Sequence, residues 1–151
     1  EVLKGIRVLP TQMQSVLNER DHYKEIAEKI YDHDSIFFIG RDIDYALSME
    51  GSLKLKEISY INSQAYAAGE LKHGTISLIE EGTPVIALVT EEKIAEKTIS
   101  NIKEVKARGA KVILVASENI NIGINTNFDI WPINGISIIT IIAIVVITNI
   151  L

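Results

Sequence analysis

Three short apolar runs, SIFFIG at 35–40, PVIALV at 84–89 and KVILVAS at 111–117, most constrain what this chain can fold into. Each is four to seven residues of continuous apolar character, without the alternation of a strand that faces water on one side. Such runs suit parallel strands buried on both faces. Helical pattern lies between them. Residues 41–61 read as one helix. Residues 91–108 read as a charged amphipathic helix with Ile94, Ile99, Ile102 and Val105 inward and Gly109 as its C′ residue. FDIWPI at 128–133 offers a fourth strand. Strand and helix in alternation imply right-handed crossovers, and so a three-layer α/β sandwich with a mostly parallel sheet flanked by helices. Sheets of that kind take ligands at the carboxyl ends of their strands. Here those are the segments after Gly40, Ala67 and Val89.

Residues 1–34 are expected to be a helical linker and N-terminal extension. Thr11, after Pro10, is placed to cap a helix through Met13, Val16 and Leu17, and a second amphipathic piece carries Tyr23, Ile26, Ala27 and Ile30. Residues 35–151 make the main domain, with 136–151 an atypical apolar ending. That ending has no charge over 16 residues. It falls short of the ~18–20 residues that span a bilayer as a helix, so a buried helix or strand is expected there. No membrane partner is expected, and the first ten residues do not have the pattern of a signal peptide. A net charge of −5 without a basic run argues against a nucleic-acid partner. The chain has no cysteine. This removes thiolate chemistry and disulfides and suits a cytoplasmic protein.

Acids, bases and cations gather in GSLKLKEISYINSQAYAAGELKHG, residues 51–74. On a helical wheel Leu47, Gly51, Leu55 and Ile58 face the core. Glu50, Lys54 and Glu57 share a narrow edge beside them, while Lys56 points to solvent. Lys54 can therefore reach Glu50 at i−4 and Glu57 at i+3. Spacing alone leaves two readings. One is a surface ion pair worth ~0.3–0.5 kcal/mol. The other is a general base, Glu57, tuned by Lys54 at the rim of a cleft. Ala65–Gly69 reads as a tightly packed strand or turn. His73, between lysine and glycine, reads as a solvent-facing histidine or as a group that titrates near neutrality. His73 and Glu70 are too few ligands for a metal site.

The blocks SIFFIGR, EGSLKLKEISYI and AYAAGELKHG resemble the second sugar-isomerase (SIS) domain of the glutamine–fructose-6-phosphate aminotransferase family, also called glucosamine-6-phosphate synthases. The resemblance is clearest over residues 35–90 and implies a flavodoxin-like fold. It implies a catalytic set of Glu57, Lys54 and His73. Glu57 would move the proton between the first two sugar carbons, Lys54 would neighbour it, and His73 would assist ring opening across a homodimer interface. The implied partners are fructose 6-phosphate, glucosamine 6-phosphate, a first SIS domain and a glutaminase that supplies ammonia. No metal or organic cofactor is implied. The family's phosphate-binding Ser/Thr loop belongs to the first SIS domain, and its Schiff-base lysine to a terminal tail. The last lysine here is Lys111. This chain alone is thus expected to bind sugar phosphate poorly and not to turn over. A stand-alone phosphosugar sensor is the alternative, weakened because Asp42 and Asp44 follow the first strand where phosphate would need Ser or Thr. A third reading is an oligomerisation domain without chemistry.

Overall fold

The computed structural model describes residues 2–117, 119–120 and 129–133. Five parallel strands form one sheet: β1 (Ser35–Gly40), β2 (Asn62–Ala67), β3 (Pro84–Val89), β4 (Lys111–Ser117) and β5 (Asp129–Ile133). Their order is β2-β1-β3-β4-β5. The three apolar runs are β1, β3 and β4, and they occupy the sheet's interior. FDIWPI supplies β5. Residues 136–151, singled out for their apolar composition, lie outside the described residues.

Helices cover both faces, as continuous apolar strands require. On one face α2 (Arg20–Ala27) and α3 (Ile43–Ser59) pack over Ile36, Phe38, Ile86, Leu88, Ile113 and Val115. Tyr23, Ile26 and Leu55 are their deepest contributions. On the other face α4 (Glu92–Ala107) brings Ile99, Ile102 and Val105 against Phe37, Ile39, Val85, Ala87 and Leu114. The helix α2, within the segment read as an extension, thus shares the core of the sheet.

One local expectation needs correction, and one open reading is resolved. The first helix, α1 (Val2–Asn18), does not start at Thr11: it runs through Pro10. The apolar repeat Ile6, Leu9, Met13, Val16 continues unbroken across the proline, whose fixed φ is itself helical. The helix forgoes one backbone bond there and keeps its period. Ala65–Gly69, which reads as a strand or a turn, is strand as far as Ala67: Asn62–Ala67 pairs with β1, every residue in register. Its sequence NSQAYA lacks an apolar run because it is an edge strand, half-exposed along most of its length.

At the end of α4, the Gly109 N–H donates to the Lys106 carbonyl (2.9 Å) and the Ala110 N–H to the Val105 carbonyl (3.3 Å). This is a Schellman closure, and Gly109 adopts the φ of +95° that it demands. A β-carbon at 109 would also stand 2.8 Å from the backbone Cα of Glu81. Gly109→Ala is expected to cost about 1–2 kcal/mol, read as a lower urea midpoint with an unchanged slope.

Candidate functional site

The residues singled out in 51–74 lie on two elements. Leu55 and Gly51 turn α3 inward, and Leu47 and Ile58 pack at the edge of the core. That anchoring leaves one outer edge for Glu50, Lys54 and Glu57. Lys54 Nζ donates to Glu57 Oε2 at 2.8 Å and stands 3.7 Å from Glu50 Oε1. Lys56 is exposed on another side. The wheel had separated these two lysines in this way.

The pair stays in contact with water: the side chains are 31% exposed for Lys54 and 49% for Glu57. The Lys54 ammonium is pushed above its ordinary 10.5, chiefly by the hydrogen bond to Glu57. Desolvation opposes the rise, and the charges of Glu57 and Glu50 add to it. Because the folded value is the higher one, the favourable contribution is complete below 10.5. It fades as pH rises through the folded value. At neutral pH Lys54 is a cation beside a carboxylate. Glu57→Gln is expected to return the Lys54 titration towards 10.5, measured from its side-chain NMR shifts against pH.

His73 sits elsewhere. It closes a 3-10 turn, Leu71–His73, that follows β2. Leu71 is buried and pins the turn to the α4 side of the sheet, while Lys72, His73 and Gly74 are exposed. The Glu70 N–H donates to the Ala67 carbonyl (2.8 Å) and the His73 N–H to the Glu70 carbonyl (3.0 Å).

Topology keeps the two parts of the set apart. Since β1 and β2 run parallel, α3 must return to the amino ends of the strands. Lys54 and Glu57 lie in its second half, towards those ends. His73 lies beyond the carboxyl end of β2, which at ~3.3 Å per residue is about 20 Å of strand away from its start. The structure therefore joins Lys54 to Glu57 and does not join either to His73 within one chain. The carboxyl-end location expected for ligands holds for His73 and not for the acid–base pair. Nor is the pair at the rim of either of two cavities of ≈ 520 and ≈ 480 Å³, lined by residues such as His33, Asn62 and Glu80, and Lys29, Gly109 and Ile113.

At the carboxyl ends, two contacts were not foreseen. Asp44 is fully buried, and its carboxylate accepts from the Thr90 N–H (2.8 Å) and the Thr90 hydroxyl (2.5 Å). This bridge links the ends of β1 and β3, the switch point where such sheets usually receive a ligand. Arg41 Nη1 donates to Asn101 Oδ1 at 3.0 Å. These partners are 46 and 60 residues apart in the chain, beyond the reach of any periodicity argument. Among the described residues no group of three or more His, Asp or Glu could hold a metal ion, and no helix is long and apolar enough to cross a membrane.

Five parallel strands ordered 2-1-3-4-5 between two helical layers define a doubly wound, flavodoxin-like α/β domain. The SIS domain family matches residues 29–131, and the chain belongs to that family. It is 52% identical over 118 residues to a protein of Caldanaerobacter subterraneus named glutamine--fructose-6-phosphate aminotransferase [isomerizing], covering 78% of this chain and 19% of that one. A protein of the same name from Clostridium tetani is 56% identical over 118 residues, with the same coverage. The chain spans about a fifth of the length of these relatives. Among solved structures, the C-terminal domain of glucosamine-fructose-6-phosphate aminotransferase from Francisella tularensis superposes with a TM-score of 0.81 at 31% identity. The match covers 97% of this chain and 41% of that one.

Proposed function

We propose that this chain is the second SIS domain of a glutamine–fructose-6-phosphate aminotransferase, with residues 1–34 leading in from a first SIS domain. The full enzyme would convert fructose 6-phosphate and glutamine-derived ammonia to glucosamine 6-phosphate in the cytoplasm. The observation that carries the reading is the 2.8 Å contact of Lys54 with Glu57 on an outer edge of α3, in a chain about half identical to enzymes of that name. Aldose–ketose isomerisation moves a proton between carbons next to a carbonyl. A carboxylate does this, and a neighbouring cation pairs with it at the site.

In this reading the partial exposure of the pair reflects an incomplete site. The first SIS domain would cover the outer edge of α3 and bring the phosphate loop. His73, some 20 Å of strand away in its own chain, would serve the other subunit of a homodimer, where it would pass a proton during ring opening. The stand-alone sensor is disfavoured because Asp42 follows β1 where phosphate would need Ser or Thr; Asp44, buried against Thr90, adds nothing to this.

The test compares this chain alone with one joined to the upstream domains, each given fructose 6-phosphate and ammonia. Glucosamine 6-phosphate is expected only from the longer chain. Its formation by the 151 residues alone would refute the requirement for a first SIS domain.

A further inference from the structure

We propose that Arg41 is a positioning residue, which, held by Asn101, clamps the segment that carries His73. The proposal rests on the catalytic reading of His73 given above. It begins from three observations at the carboxyl end of the sheet. Arg41 immediately follows β1, and its guanidinium donates to Asn101 Oδ1 at 3.0 Å. Asn101 is 5% exposed on α4, so this acceptor is fixed in the body of the domain. The guanidinium then lies over Gly69. A β-carbon on Gly69 would be 2.9 Å from Arg41 Nη1 and 3.2 Å from both Cζ and Nη2.

Gly69 opens the segment that ends in His73. Next to it, the Ala68 N–H donates to the Gly40 carbonyl at 2.8 Å. The segment is thus tied by its backbone to the last residue of β1 and covered by the side chain of the next one. Beyond Gly69 its internal bonds are those of a single tight turn, and its one deep anchor is Leu71. A flat, five-donor cation suits this place. It can lie against a glycine face while one edge stays bonded to Asn101, which a lysine ammonium cannot do. A β-carbon at 69 would meet only the guanidinium end of Arg41, which would have to move aside, and the φ of Gly69 is not in the left-handed region. Gly69→Ala is therefore a steric probe of the clamp without backbone strain.

Amide hydrogen exchange on this chain reads the clamp directly. Arg41→Ala and Asn101→Ala are each expected to speed exchange of the Glu70 and His73 amides at least tenfold, with β3 amides unchanged. Asn101→Asp keeps an acceptor for Arg41 and is expected to restore protection. Unchanged exchange in Arg41→Ala, or equal loss in Asn101→Asp and Asn101→Ala, would overturn the clamp. In the full-length enzyme, Arg41→Ala and Gly69→Ala are expected to lower kcat about tenfold, with KM for fructose 6-phosphate within a factor of two. If His73→Asn abolishes turnover while Arg41→Ala leaves it intact, the positioning role is refuted and the role of His73 stands. If His73→Asn leaves turnover intact, the catalytic reading of His73 falls, and with it any catalytic purpose of the clamp.

Discussion

In the proposed full-length enzyme, Glu57→Gln is expected to lower kcat for glucosamine 6-phosphate formation by about 10²–10⁴-fold, the usual share of a general acid–base group. The substitution keeps the side chain's size and a hydrogen-bond acceptor for Lys54, so the fold of α3 should survive. Glu57 is about half exposed, and its main chain lies within a 17-residue helix. An unaltered melting temperature is thus the internal control. What the amide cannot do is accept a proton from carbon. The loss should therefore fall on kcat, with KM for fructose 6-phosphate changing little. Hydrolysis of glutamine, performed by another domain in the proposed enzyme, should continue. A Glu57→Gln enzyme with undiminished kcat would leave only a surface ion pair, worth a few tenths of a kcal/mol.

The acid–base edge was legible in the sequence because a helix converts spacing into adjacency. Leu47, Gly51, Leu55 and Ile58 set which side of α3 is buried, and the positions of Glu50, Lys54 and Glu57 follow from 3.6 residues per turn. The inner strands were legible for a related reason. Burial on both faces leaves a run such as PVIALV no polar position, and each of its residues is buried. The edge strand was harder to read. NSQAYA takes its conformation from pairing with β1, which is information in another part of the chain.

The same limit separates the parts of the site. His73 could be picked out by its chemistry, yet no local pattern shows that a whole strand lies between it and Glu57. Arg41 and Thr90 attracted attention only as neighbours of strand ends. Their partners, Asn101 and Asp44, become adjacent only when the sheet order is set. Charge type also misled in one respect. By sequence Asp44 stands with Asp42 against phosphate binding, whereas it is buried and accepts from Thr90 with both oxygens.

That sealed bridge sets the largest expected effect on stability. Asp44→Ala should destabilise the domain by about 2–4 kcal/mol, because two donors of Thr90 lose an acceptor that is itself fully buried. The cost is reinforced by position. Asp44 lies in the first turn of α3, where a carboxylate meets the positive end of the helix. The site also has no room to reorganise. A β-carbon on Gly40 would come within 2.5 Å of the Asp44 carbonyl group, so β1 and the start of α3 are already in close contact. The Ser48 hydroxyl donates to the Asp44 carbonyl at 2.7 Å, tying the next turn to the same residue. Asp44→Asn retains one oxygen for the Thr90 N–H and should cost roughly half as much, since its NH₂ can only meet the hydroxyl as a donor. Thermal melts would separate the two: each kcal/mol is worth ~2–4 °C in a domain of this size. Equal melting temperatures for Asp44→Ala and the parent chain would mean that the β1–β3 crevice is held shut by packing alone.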